Sequence, residues 1–326
     1  MKHFLILILC VAALCAIPFF LPVPSPAPAD AAPTETMSAQ PQTARPFDRE
    51  VTLRVLCGEE TACMTLREYL VGVLYAEMPA DFPEEALKAQ AVAARTFALR
   101  KAESGKHPQA DVCTDSACCQ GFLPVEDAQV LARLQAAVDE TDGLVVTYGE
   151  GLIDATFFSC SDGQTESAAA VWGSDIPYLQ SVDSPGEEAA PPFSQTVTLE
   201  ADYFAEILTA AYPQINLSGS PCGWFGALTK TAGGGIDTVF IGGTPIPGTR
   251  LRQLFSLRST DIVFAPSETQ ITVTTYGFGH RVGMSQYGAK AMAESGSSFS
   301  EILTHYYSGT TIKKLLCRPT EQFLHF

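Results

Sequence analysis

The chain has 326 residues, 46% hydrophobic and 17% charged, which suits one generous globular unit with appendages better than two full domains. Its 36 Asp and Glu outweigh 20 Lys and Arg, giving a formal charge of −16. A field of that sign repels phosphate backbones and anionic lipid, which argues against a nucleic-acid partner.

After Lys2 and His3, an almost unbroken apolar run from Phe4 to Val23 approaches the roughly 20 residues a helix needs to cross hydrocarbon. Its length favours an uncleaved anchor over a secretory signal, whose apolar region is about 7–15 residues, although the small residues from Ala27 to Ala32 would permit cleavage. Cys10 and Cys15 sit within the run as apolar side chains. With the basic end before the span and the body after it, the positive-inside rule predicts a single-pass protein of the cell membrane with its body outside the cytoplasm. Residues 24–47, mostly Pro, Ala, Thr, Ser and Gln, cannot bury enough surface to fold and read as a flexible tether.

Val51 to Cys57 alternate as a half-buried strand does, and Gly58 ends the run. Leu66, Leu70, Val73 and Leu74 then recur at helical spacing until Pro79, with Glu77 at the end of the stripe. Asp81 and Pro83 announce a second helix from Glu84 to about Lys101, whose Ala86, Ala89, Ala93, Ala94 and Ala98 allow close packing in a helical hairpin. Strands are predicted at 143–148, 155–158, 236–241 and 271–275, with helices near 203–211, at 285–294 and from the capping box Ser298 to Glu301 onward. The whole reads as an α+β fold, a single mixed domain over 48–326 with an inserted subdomain or flap at about 185–248.

Glu77 carries the sharpest chemical signal. Desolvation by an apolar stripe and the negative end of a helix dipole both favour its protonated form, the state a general acid needs to protonate a glycosidic oxygen. The same placement also suits a half-exposed terminal Glu paired with a base such as Arg95. His107, Cys113, Cys118 and Cys119 form a second cluster, four ligands in a short loop that suit a structural tetrahedral zinc. A disulfide such as Cys113 to Cys118 is the alternative outside the cytoplasm. The absence of His-Glu-x-x-His argues against a zinc peptidase. Cys57 and Cys63 bracket a short turn and are candidates for a disulfide.

Leu70-Val-Gly-Val-Leu-Tyr-Ala-Glu-Met-Pro79 followed by Glu85-Ala-Leu-Lys-Ala-Gln-Ala-Val-Ala-Ala-Arg-Thr-Phe97 resembles the stage II sporulation protein D family, which is related to an amidase enhancer. The likeness returns in Phe158-Ser-Cys-Ser-Asp-Gly-Gln-Thr-Glu166, Val171-Trp-Gly with Pro177-Tyr-Leu, Phe255-Ser-Leu-Arg-Ser259 and Gly277-Phe-Gly-His-Arg-Val-Gly-Met-Ser-Gln-Tyr-Gly288, in the family's order from about Val51 onward. Three positions depart from the family pattern: Arg281 stands where Gly is usual, and Cys160 and Asp162 interrupt a Ser-x-Ser-Gly-Gly motif.

The resemblance implies a lytic transglycosylase that cuts between N-acetylmuramic acid and N-acetylglucosamine during spore engulfment, on strands stripped of stem peptides, with an amidase and membrane-complex partners. It maps the catalytic acid to Glu77 and assigns Arg95 to orienting Glu77 or binding a sugar substituent. Ser159, Gln164, Thr165, Glu166, Tyr178, His280, Ser285, Gln286 and Tyr287 are assigned to the substrate groove. Some family members bind zinc through a His and Cys cluster at the second constellation, though there a His precedes the final Cys where this chain has Cys118. Two other readings stay open: a noncatalytic wall-binding amidase enhancer, and a muramidase using Asp162, Glu166 or Asp175 as a second carboxylate.

Overall fold

The structure, a computed structural model, describes residues 45–317. The expected anchor at 1–23 and all but the end of the expected tether lie outside these residues. No helix among the described residues is long and apolar enough to cross a membrane.

The described chain opens with a short helix α1 (Phe47–Glu50) and a hairpin of β1 (Thr52–Cys57) and β2 (Glu60–Thr65). Helix α2 (Leu66–Glu77) follows at once, its start closed by a reciprocal capping box between Thr65 and Glu68. Helix α3 (Glu84–Ser104) runs through the centre of the body and ends at Gly105 in the left-handed conformation. Its alanines are buried on several sides, because small side chains let α2, further helices and a strand all approach one rod closely. The hairpin expected from sequence is thus part of a larger packing arrangement.

Strand β3 (Val112–Cys113) pairs in parallel with β1. Helix α4 (Ala128–Glu140), strands β4 (Leu144–Tyr148), β5 (Gly151–Leu152) and β6 (Phe157–Phe158), and the short helix α5 (Ala168–Trp172) complete the first pass.

A second lobe then interrupts the body. It comprises β7 (Ser194–Glu200), α6 (Ala201–Ala211), β8 (Phe225–Lys230), β9 (Ile236–Ile241), β10 (Thr244–Pro247), α7 (Gly248–Leu254), β11 (Asp261–Pro266) and β12 (Gln270–Tyr276). Two three-stranded sheets, β10-β9-β8 and β11-β12-β7, enclose a separate core around Phe204, Trp224, Ile241, Ile271 and Val273. That core extends through β12, beyond the boundary at 248 expected from composition.

The chain returns through β13 (Met284–Ser285), α8 (Gln286–Glu294), α9 (Phe299–Tyr306) and β14 (Thr311–Lys314), which pairs with β4. The expected capping box of Ser298 and Glu301 opens α9. Strand β13 lies parallel to β6, with Met284 opposite Phe157, so two motifs over a hundred residues apart in sequence become neighbours. Helix and sheet are mixed throughout, consistent with an α+β fold.

Candidate active site

Glu77 is the last residue of α2 and is only partly accessible. Burial raises its carboxyl above the usual value of 4.5, while one hydrogen bond opposes that shift: the Gly121 N–H donates to Oε1 at 2.6 Å. The approach depends on Gly121 lacking a side chain, since a Cβ there would stand 3.0 Å from the same oxygen. The loop carrying Gly121 is itself seated on α2. The Phe122 ring stacks with Tyr69 and fills the space above Gly72, where a Cβ would meet it at 2.3 Å.

Glu77 lines a cleft of about 460 Å³. Across it stand Phe157, Trp172, Ile176 and His280, with Lys101 and Asp154 also on its walls. The Trp172 ring is 45% exposed and lies 5.3 Å from the His280 ring, an open aromatic face of the kind that carries a sugar. His280 accepts from the Val282 N–H through Nδ1 at 3.1 Å, so the neutral ring carries its proton on Nε2. Burial, with the Arg252 charge second, pushes its pKa down to about 4, against a hydrogen bond with the Phe157 backbone. At neutral pH the imidazole is therefore an uncharged wall. The ammonium of Lys101 lies 3.2 Å from Asp154 Oδ1.

The cysteine-rich loop forms the floor beside Glu77. The ligand atoms of His107, Cys113, Cys118 and Cys119 all lie within 4.8 Å of one another, with His107 Nε2 at 3.3 Å from Cys119 Sγ and 3.7 Å from Cys118 Sγ. A tetrahedral ion with bonds of about 2.0–2.3 Å needs ligands spaced on that scale. The Asp115 carbonyl accepts from both the Cys118 and Cys119 N–H groups, at 3.0 and 2.7 Å, which curls the loop so that adjacent cysteines face inward. Lys106 beside Cys118 holds that thiol below its usual range, favouring the thiolate. All four residues fit a metal. The cysteines at 113 and 118 are free rather than bridged.

Cys57 and Cys63, the candidates for a disulfide, are also free. Cys57 faces Glu60 and Cys63 faces Arg54, so three residues of register, about 10 Å, separate them along the hairpin.

The remaining expected site residues divide sharply, with His280 the one that joins Glu77 on the cleft walls. Arg95 corrects the expectation made for it. Its guanidinium is fully buried, donates through Nε to Asp48 Oδ1 at 2.8 Å and reaches the carbonyls of Leu144 and Val138. It locks α1 onto α3, α4 and β4 and does not line the cleft. Thr165 and Glu166 are buried too: Thr165 exchanges hydrogen bonds with Val182, and Glu166 Oε1 accepts from Thr231 Oγ1 at 2.7 Å and the Gly235 N–H at 3.1 Å. Ser285 caps α8 and donates to Glu187 Oε2 at 2.7 Å, and Gln286 beside it is buried. Ser159 receives the Tyr287 N–H on its carbonyl at 3.0 Å, Tyr287 packs edge-on against Phe82, and Gln164 bonds Asp183. Tyr178 Oη accepts from the Asp154 N–H at 3.2 Å and so supports a cleft residue from behind.

Of the candidate second carboxylates, Asp162 is engaged by Arg281, Glu166 by the second lobe, and Asp175 by Gln180. None lines the cleft, whereas Asp154 does. Lys101, Gly121 and Asp154 were absent from the expected set because no local pattern marks them. Trp172 lies in the Val171-Trp-Gly173 motif, which by itself assigns it no role.

Comparison with known proteins places the chain among relatives in sequence. A family model described as stage II sporulation protein matches residues 59–148, the stretch that holds α2, α3 and the cysteine loop. The chain is 38% identical over 293 residues to the stage II sporulation protein D of Bacillus amyloliquefaciens, covering 86% of this chain and 83% of that one. It is 39% identical over 262 residues to the protein of the same name from Bacillus subtilis (strain 168), covering 76% and 74%. A more distant likeness, 29% over 291 residues, links it to the amidase enhancer of Bacillus subtilis (strain 168), covering 74% of this chain and 40% of that one.

Proposed function

The chain belongs to the stage II sporulation protein D family, and from that premise we propose that it is a lytic transglycosylase acting on peptidoglycan glycan strands, with Glu77 as its single catalytic group. The observation that carries this reading is a partly buried carboxyl whose protonated form is favoured, lining a cleft large enough for sugars.

Gly121 occupies Oε1, which leaves Oε2 to carry the proton. Glu77 gives that proton to the O4 leaving group of N-acetylglucosamine as the bond from C1 of N-acetylmuramic acid breaks. The muramic O6 then bonds C1, and Glu77 takes the O6 proton back, closing a 1,6-anhydro ring. No water and no second carboxylate enter the balance. Trp172 offers a stacking face for a sugar ring. Hydrolysis by a retaining or inverting route would instead require a partner carboxylate at a defined separation. Asp154, the other carboxylate on the walls, is engaged by Lys101.

His107, Cys113, Cys118 and Cys119 hold a structural zinc, which supplies folding energy to the loop rather than chemistry. The body works outside the cytoplasm, tethered through its N-terminal apolar segment, in spore engulfment and beside an amidase that strips stem peptides.

The test is mass spectrometry of products formed from peptide-free strands, with Glu77→Gln as control. Anhydro-muramyl ends that vanish in the variant are the expected result. Reducing ends would mean hydrolysis, and strands bound but uncut would favour a noncatalytic wall-binding role.

A further inference from the structure

Resting on the reaction just proposed, we infer that Lys101 is the residue through which the cleft recognises the lactyl carboxylate of N-acetylmuramic acid, and so selects strands whose stem peptides are gone. Lys101 lies near the end of α3 and shares the cleft with Glu77. It is the one Lys or Arg among the described residues that line it, in a chain whose formal charge is −16. Although it meets Asp154, this cation is the feature of the wall that suits an anion.

The ammonium is held but not saturated. It has three donors. One meets Asp154 Oδ1 at 3.2 Å, its one hydrogen-bond partner among the described residues, and the charge rests 4.8 Å from the centroid of the Phe97 ring. The side chain remains 25% exposed, so the other donors are open to a ligand.

The strand's chemistry supplies that ligand. N-acetylated sugars are neutral, and the ionised group of a peptide-free strand is the lactyl carboxylate on C3 of muramic acid. A stem peptide converts that carboxylate to an amide, which carries no charge to pair with Lys101. The group belongs to the same sugar whose C1 reacts, so a cation in Glu77's own cleft is suitably placed to read it. Asp154 steadies the ammonium before substrate arrives and competes mildly with it afterwards.

The experiment compares short peptide-free strands bearing free lactyl carboxylates with the same strands capped as methylamides. Binding is measured on the full chain carrying Glu77→Gln, and cleavage on the active chain. We expect the free form to bind about tenfold more tightly, the scale of a charge-assisted hydrogen bond. Lys101→Gln should erase most of that preference, Lys101→Arg should retain it, and Asp154→Asn should enlarge it by removing the internal competitor. Equal binding of the two strand forms would overturn the inference. So would parallel losses on both forms in Lys101→Gln and Asp154→Asn, the signature of a merely structural ion pair. A preference that depends on Lys101 while strands stay uncut would sink the transglycosylase and leave carboxylate recognition standing.

Discussion

Folding raises the pKa of the Glu77 carboxyl, because burial at the end of α2 and against the cleft wall takes water from it while a single N–H opposes the shift. Its folded-state pKa lies above the ordinary 4.5, so the native protein holds the proton more tightly than the unfolded chain. This group's contribution to stability is therefore complete below about pH 4.5 and is lost as pH rises through the folded value. Glu77→Gln keeps an oxygen for the Gly121 N–H and never ionises. We expect it to raise stability near pH 7.5 by about 0.5–2 kcal/mol, with the gain disappearing at acid pH, while abolishing cleavage. Denaturant midpoints at the two pH values measure the first effect, and a variant less stable at both would show that Glu77 is structural. The rate of cleavage should decline on the alkaline side of Glu77's pKa. His280, already neutral, should add no limb near pH 6.5.

Helix α1 is only four residues long, and its attachment rests on Asp48 meeting Arg95 where both are out of water. Arg95→Met leaves a buried carboxylate without its partner and should cost about 3–5 kcal/mol, whereas Arg95→Met with Asp48→Asn should cost less than the sum of the single changes. Thermal unfolding of the three variants distinguishes this from a substrate role, which would lower strand binding without such a loss. The cysteine loop is coupled to Glu77 through Gly121, two residues beyond Cys119. Chelation, or Ser at Cys113 and Cys119, should lower the melting temperature by several degrees and slow cleavage, and chelator should change nothing further in the double variant. A chelator without effect on the unaltered chain would remove the metal from the account. These elements show what sequence could convey. Glu77 at the end of a periodic stripe, the four-ligand loop and strand 236–241 were legible because local spacing encodes them. Arg95 was misassigned because its partner lies 47 residues away, and a buried ion pair leaves no periodic trace. Asp154 and Lys101 likewise come together across 53 residues.

Two cores make up the described molecule, and a polar junction joins them. The core around α3 and the core around Phe204 meet where Glu166 accepts from Thr231 and Gly235, and where Arg281 reaches Asp162 and the carbonyls of Gln164 and Gly233. Arg281 adopts a φ of 63° that favours glycine, so its buried guanidinium is held there at some conformational cost. Asp162 also faces Asp261, which is in turn met by Lys230. Burial, reinforced by the hydrogen bond with Asp261 and opposed by Arg281, moves Asp162 from 3.8 to about 7. Because the folded pKa is the higher one, the junction's stabilisation from Asp162 is full below pH 3.8 and is lost as pH rises through about 7. Loss of the Asp162 proton over that window removes its hydrogen bond to Asp261. Limited proteolysis of the second lobe should accordingly run severalfold faster at pH 8 than at pH 5, with the body core unaffected. Asp162→Asn, which donates to Asp261 at every pH, should flatten the dependence. The same pH dependence in Asp162→Asn would move its origin away from this junction, toward groups inside the lobe itself.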